Sequence, residues 1–421
     1  MKVFKFGGAS TADVERIRSV ADIIEKEQEP LFIVASATGK STNRLEQILE
    51  IARENPDKAA AGLDRFFEAH AAMARQLMGA GALEKYLDEA GKLQDEGLRW
   101  LQESGHRPYA FVYDQFVSLG ELLSTRLLSA VLHSRNIRHE LWDARQLILC
   151  EGPHRLAKAQ MQESCKKINR ALENLREDTH VLVQGFIGGS KEGYTSTLGR
   201  EGSDYSAALF AACAEASELC FWKDVQGILN ADPNFYAGAV LLDKLSYRDA
   251  LEISRLGAKV IHPKSIEPLE EKGIPLRVRS FLQTEHPGTL IAAEAGSRPL
   301  PPVIIHRPGQ LLLRIEKKKL SPDDALNILG EALPEKRLIE VMSEDEEKAE
   351  ILVPGRPHLL HLLDNDESLR ESVSYKSGLS LLIVRGGDES LFSELSENAE
   401  VQIKKFGPEP GVVRILVQKE S

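Results

Sequence analysis

Leu198-Gly199-Arg200-Glu201-Gly202-Ser203-Asp204, followed at once by Tyr205-Ser206-Ala207-Ala208, is the most informative stretch of the chain. It sets a guanidinium, a hydroxyl, a carboxylate and two glycines before an alanine-rich segment that predicts a helix over residues 205–216. Ser203 and Asp204 are residue types that cap helix N-termini, where unpaired N–H groups attract anions. Arg200 is suited to grip a carboxylate through two parallel charge-assisted hydrogen bonds. The stretch therefore reads either as an ordinary capped loop or as a site for a small anion beside phosphate. On both sides of it, short apolar runs alternate with helical patterns. Residues 3–6, 31–35, 139–143, 181–185, 219–223 and 276–278 read as buried strands. This alternation predicts an α/β fold layered around a largely parallel sheet.

Other polar motifs sit where predicted strands end. Lys5-Phe6-Gly7-Gly8-Ala9-Ser10 closes the first strand and precedes a helix expected near Ala12. Its glycines let backbone approach a phosphate, and Lys5 is placed to neutralise charge on a transferring phosphoryl group. A plain tight turn fits the same residues. Ala35-Ser36-Ala37-Thr38-Gly39-Lys40-Ser41-Thr42-Asn43 follows the second strand and suits a carboxylate or phosphate, although Thr42 and Asn43 are equally good helix caps. Ser118-Leu119-Gly120-Glu121-Leu122-Leu123-Ser124 puts one carboxylate in an apolar helical run, so Glu121 needs either a ligand ammonium or an internal cation such as Arg126. Trp222-Lys223-Asp224-Val225-Gln226-Gly227-Ile228, with Ala231-Asp232-Pro233, reads as a strand end and turn whose Asp224 and Asp232 suit a ribose or loop backbone. Gly257-Ala258-Lys259-Val260-Ile261-His262-Pro263 offers Lys259 on a helix stopped by proline.

With 421 residues, two or three domains are expected. Residues 44–130 form a long helical block, broken at Asn55-Pro56, Gly79–Gly81 and Gly105–Pro108, that stands out as a lobe or covers a face of the sheet. The proline-rich segment 293–302 reads as a linker. Beyond it, residues 303–421 predict two small βαββ-type units in tandem, with helices at 321–333, 357–366 and 388–398 and a strand at 401–405 among others. A net charge of -11 argues against a nucleic-acid partner. No leader pattern and no long apolar run occur, so a cytoplasmic protein without a membrane segment is expected. The four cysteines, lacking CxxC spacing, read as reduced and mostly buried, and the 11 histidines show no metal-ligand spacing.

Taken together and in order, these motifs resemble those of the aspartokinases within the amino acid kinase family, over roughly residues 1–292. KFGGAS, VASATGKSTN, SLGE, QGFIG (Gln184–Gly188), TLGREGSDYSAA, DVQGILNADP and GAKVIHP carry the resemblance, TLGREGSDYSAA most specifically. It implies a catalytic domain over 1–292 that transfers the γ-phosphoryl group of ATP to the β-carboxylate of L-aspartate, the first step toward lysine, threonine and methionine. Lys5 would stabilise the transferring group and Asp204 would organise the reacting centre. Ser36, Thr42, Glu121, Arg200 and Ser203 would hold aspartate, Arg200 at a carboxylate and Glu121 near the ammonium. Gly7, Gly8, Asp224 and Lys259 would contact ATP, with Mg²⁺ as its counter-ion. The chain departs from the family at Lys223, where Thr or Ser is usual, at Leu229, where Tyr is common, and at Asn234, where Arg or Lys is usual. Lys223 is expected to supply the nucleotide cation missing at 234. The C-terminal region resembles paired ACT domains by pattern and position, as a regulatory or homo-oligomerising region. Its first strand–helix loop, Ile315 to Asp323, lacks the glycine usual at ACT effector sites, so weak or no lysine inhibition is expected.

Overall fold

The computed structural model describes residues 1–258, 261–293, 300–333, 338–386 and 412–418, which fall into two compact units. The first draws its described residues from Met1–Ile228, Asp243–Tyr247 and Ile261–Ala295, the second from Leu229–Leu242, Arg248–Val260 and Gly296–Ser421.

In chain order the strands of the first unit are β1 (Lys2–Phe6), β2 (Leu31–Ala35), β3 (His139–Trp142), β4 (Cys150–Glu151), β5 (Lys158–Ala159), β6 (His180–Gln184), β7 (Ile187–Gly189), β8 (Thr195–Thr197), β9 (Leu219–Lys223), β10 (Lys244–Ser246), β11 (Leu276–Ser280) and β12 (Thr289–Ala292). Eight make one sheet in the order β10-β12-β11-β9-β1-β2-β6-β3, parallel at every pairing except β11–β12. The central strands are nearly continuous apolar runs because both faces are covered. β4 pairs with β5 and β7 with β8 as short antiparallel ribbons, too short to stand out in the sequence.

The predicted helical block resolves into α2 (Ser41–Ala52), α3 (Pro56–Leu77), α4 (Ala80–Glu103), α5 (Tyr109–Val117) and α6 (Leu119–Ser134), after α1 (Val14–Glu25). Asn55 caps α3 and Pro56 opens it, as the sequence break foretells. Helices α3 and α4 pack on one another, while α6 lies against β2, β3 and β6, so the block covers a face of the sheet. The unit is completed by α7 (Ala144–Leu147), α8 (Met161–Glu173), α9 (Gly202–Cys213) and α11 (Pro263–Lys272).

Four expectations are corrected. The helix expected over 205–216 is α9 and starts at Gly202, because Glu201 takes left-handed φ 54° and turns the chain; Ser203 and Asp204 lie inside the first turn and do not cap it. A 3₁₀ turn, Gly8–Thr11, separates the glycine pair from α1. Pro263 opens α11 instead of stopping a helix, since α10 (Tyr247–Arg255) has already ended. Finally, Cys165 of α8 and Cys213 of α9 form a disulfide, with Cα atoms 4.7 Å apart. The helices pack side by side, which sequence spacing does not reveal.

The second unit holds a five-stranded antiparallel sheet of β13 (Val303–Glu316), β14 (Glu340–Glu344), β15 (Lys348–Pro354), β16 (Val373–Arg385) and β17 (Val412–Gln418), ordered β14-β15-β13-β16-β17. With α12 (Pro322–Leu329), α13 (Pro357–Asn365) and α14 (Glu367–Ser372), it runs β-α-β-β-α-α-β-β, which opens with the β-α-β-β pattern of an ACT-like unit. Leu311, Leu313, Ile315, Ile351 and Val353 pack under Leu359 and Leu363 as its core. β13 pairs with β16 along its length through a register irregularity at Arg307/Gln310. The expected helix at 388–398 and strand at 401–405 lie outside the described residues.

Candidate active site

Lys5 and Lys223 reach one carboxylate from neighbouring strands. β1 and β9 pair with Lys5 opposite Phe221, and Lys223 is two residues further on, so both lysines leave the same face of the sheet. Stacking of Phe6 on Trp222 fixes that register from within the core. The backbone of Lys223 is pinned on its other side, where Phe281 N–H donates to its carbonyl. Facing them, the first turn of α9 delivers Asp204, 1% exposed. Lys5 Nζ lies 2.5 Å from Asp204 Oδ1, and Lys223 Nζ lies 3.0 Å from Oδ2. Burial works against ionisation of Asp204, but Lys223 and Lys5 overcome it and hold the carboxyl down at about 2. Burial likewise pulls Lys223 down, while Asp204 raises it above the usual lysine range. The carboxylate stays ionised and Lys223 stays charged at any physiological pH.

The glycine pair lies beside this cluster. A Cβ on Gly7 would come 3.3 Å from Lys5 Nζ, and one on Gly8 would meet the Gly39 carbonyl at 2.4 Å. Only glycine lets the two loops approach so closely. Gly39 N–H donates to the Gly8 carbonyl and Ser36 N–H to that of Phe6, stapling the loop after β2 to the loop after β1. Both loops lie at the carboxyl ends of parallel strands, where open α/β sheets bind ligands.

Glu121 stands in the first turn of α6, 2% exposed, and among the described residues its Oε2 has no hydrogen-bond partner. Burial pushes its carboxyl up to about 8, only partly offset by its own N–H and that of Ala37. Arg126, the internal cation weighed from the sequence, instead donates to the Leu122 carbonyl and lies 3.7 Å from Glu89. A buried acceptor without a donor marks a place for a ligand cation. One turn on, Ser124 donates to the Ser36 carbonyl and accepts from Thr38, fastening α6 to the loop after β2. Ser203 packs on the turn after β6, where a Cβ on Gly185 would come 2.9 Å from its Oγ.

The structure thus brings Lys5, Gly7, Asp204 and Lys223 into one cluster, and joins Ser36 to the Glu121 helix. Thr42 is half-buried in the first turn of α2, whereas Arg200 and Asp224 are exposed. Lys259 lies outside the described residues, and Leu229 and Asn234 belong to the second unit. Sequence reasoning missed Asp114, fully buried in α5, which accepts from Thr197 Oγ1 at 2.6 Å and Arg155 N–H at 3.0 Å and lies 2.8 Å from His154 Nδ1. This network anchors the segments leading to Arg200, and its only sequence signal is one charge in an aromatic run.

The amino acid kinase family model matches residues 1–280. Lysine-sensitive aspartokinase 3 of Escherichia coli is 30% identical over 315 residues, covering 74% of this chain and 69% of that protein. The chain belongs to the amino acid kinase family, among the aspartokinases. Bifunctional aspartokinase/homoserine dehydrogenase 1 of Zea mays is 32% identical over 299 residues, 69% of this chain, and the chain spans 32% of that relative's length. The solved structure of E. coli aspartokinase III with aspartate and ADP superposes with a TM-score of 0.80 at 26% identity, covering 99% of this aspartokinase-family chain and 96% of that one.

Proposed function

We propose that this chain is an aspartate kinase, transferring the γ-phosphoryl group of ATP to the β-carboxylate of L-aspartate to give ADP and 4-phospho-L-aspartate, the first step toward lysine, threonine and methionine. The observation that carries this reading is Asp204, buried and held ionised between two ammonium groups at the carboxyl ends of β1 and β9. Phosphoryl transfer asks for positioning and charge neutralisation more than for a covalent nucleophile. A β-carboxylate oxygen forms the new bond to phosphorus while the bond to the ADP oxygen breaks. Lys5 draws off charge from the group in flight, and Asp204 fixes where Lys5 stands. Glu121 takes the substrate ammonium, Arg200 a carboxylate, and Ser36, Thr42 and Ser203 donate hydroxyls to it. Gly7 and Gly8 let backbone approach the ATP phosphates, with Asp224 and Lys259 as further nucleotide contacts.

Mg²⁺ is expected with ATP, where it neutralises phosphate charge. Such an ion would be carried mainly by phosphate oxygens and water. We assign catalysis to residues 1–292, a linker to 293–302, and ACT-type regulation or homo-oligomerisation to 303–421. Among the described residues no helix is long and apolar enough to cross a membrane; a cytoplasmic enzyme without nucleic-acid or membrane partners is the reading we adopt.

Hydroxylamine trapping tests the assignment, because an acyl phosphate is converted to a hydroxamate. ATP-dependent hydroxamate is expected with L-aspartate and not with L-glutamate or N-acetyl-L-glutamate. Signal with another acceptor alone, or with none, overturns it.

A further inference from the structure

We infer that Lys223 is a positioning residue of the phosphoryl-transfer centre: it takes up one oxygen of Asp204 so that Lys5, held by the other, keeps its positive charge available to the group in flight. The inference rests on the kinase reading and reassigns a residue that the sequence pointed toward the nucleotide.

The argument is one of charge and place. Paired with Lys5 alone, a buried Asp204 would leave a neutral couple, and the Lys5 ammonium would serve only as a counter-ion. Two ammonium groups on one carboxylate leave a net charge of one unit facing incoming phosphate. The geometry divides the carboxylate cleanly, Oδ1 to Lys5 and Oδ2 to Lys223. Asp204 cannot turn away from either, because its backbone lies in the first turn of α9 and its side chain is sealed in. Lys223 is confined as well. It ends β9 between β1 and β11, its ammonium lies 5.5 Å from the Phe221 ring centroid and 3.0 Å from Asp204, and Glu201 and Asp224 also act on it through their charges. A threonine or serine at 223, the types usual in the family, is too short to span this gap. This chain therefore builds its centre with a cation that the common pattern lacks, while Asn234 supplies none.

The test compares Lys223→Met, Lys223→Thr and Lys223→Arg in the full-length protein by hydroxamate formation. Met and Thr are expected to lower kcat by about 100-fold, the scale of losing one preorganised charge, with KM for ATP and for aspartate changed by less than about 3-fold. Arg should restore part of the loss. The acid limb of the kcat–pH profile should move upward in Met and Thr, because Asp204 loses one of the two cations holding it ionised; a residue that only supports the fold would not move that limb. Should the Met variant fail to fold, Thr and Arg carry the comparison. A rise in KM for ATP with kcat retained makes Lys223 a nucleotide contact and overturns the inference, as does an unchanged kcat and pH profile. Wild-type protein silent with aspartate overturns the kinase reading and this inference together; an active wild type with unaltered variants overturns this inference alone.

Discussion

Two buried carboxyl groups define the site, and their surroundings drive them in opposite directions. Asp204 sits between lysines and stays ionised, whereas Glu121 has no cation within reach among the described residues and is pushed up to about 8 by burial. In the ligand-free protein Glu121 is therefore protonated at neutral pH. Since the folded form holds that proton where the unfolded chain has released it, Glu121 costs stability as pH rises from about 4.5 toward 8. An arriving ammonium reverses the preference and expels the proton. Aspartate binding below pH 8 should thus release one proton, and KM for aspartate should fall up to about tenfold per unit as pH rises from 6 to 8. Calorimetry in buffers of different ionisation enthalpy measures the proton directly. Glu121→Gln should raise KM and flatten its pH dependence; a wild-type KM that is level across this range would sink the assignment. The sequence already marked Glu121 as a lone charge in an apolar run, yet left Arg126 open as its partner. Only the packing of α4 on α6, which brings Glu89 toward Arg126, removes that option. Similarly, the placement of Lys5 near the end of a strand was legible, but its sharing of Asp204 with Lys223 depends on the β1–β9 register, a pairing between segments more than 200 residues apart.

At the scale of elements, the buried strands and the breaks between α2, α3, α4 and α5 were legible because continuous apolar runs and Asn-Pro or Gly punctuation are local signals. What was not legible was contact between elements distant in sequence, and the disulfide is the clearest instance. Cys165 and Cys213 lie 48 residues apart with no motif around either, and they meet only because α8 packs along α9. The bond tethers the C-terminal end of the helix whose first turn carries Asp204. Closing a loop of that length is worth up to about 4 kcal/mol in the chain-entropy account. Oxidised protein should therefore melt several degrees above reduced protein, and Cys165→Ser should match the reduced form with or without reductant. Thermal melts, with alkylation and mass analysis to count free thiols, decide it. Identical melting of oxidised wild type and variant, with the bond verified, would show that the tether adds nothing. In a reducing cytoplasm the bond would be open, and the reduced value is the one that applies.

At the largest scale, the second unit opens with an ACT-like β-α-β-β pattern, and the likeness to E. coli aspartokinase III extends over 99% of the chain. Whether free lysine could act on this region turns on the connection from β13 to α12, and that connection argues against it. It carries no glycine between Ile315 and Asp323, and three successive lysines occupy it. Their ammonium groups are already paired: Lys317 with Glu344 at 2.8 Å, Lys318 with Glu347 at 2.7 Å and Lys319 with Glu316 at 2.9 Å. A free lysine approaching this loop would bring a side-chain cation against three others, and would find the nearby acids engaged. Like charges brought together are a penalty, the same device by which interfaces reject wrong partners. Exposed pairs of this kind contribute little to stability, so their consequence here is for recognition and not for folding. Aspartate-dependent hydroxamate formation should accordingly keep more than half its rate at about 1 mM lysine, a concentration that more than half-fills any site binding more tightly than millimolar. Half-inhibition below that concentration would overturn the argument. Were Lys317→Gly and Lys318→Ala to create such inhibition in a chain that otherwise lacks it, the loop itself would be identified as the element that excludes the effector.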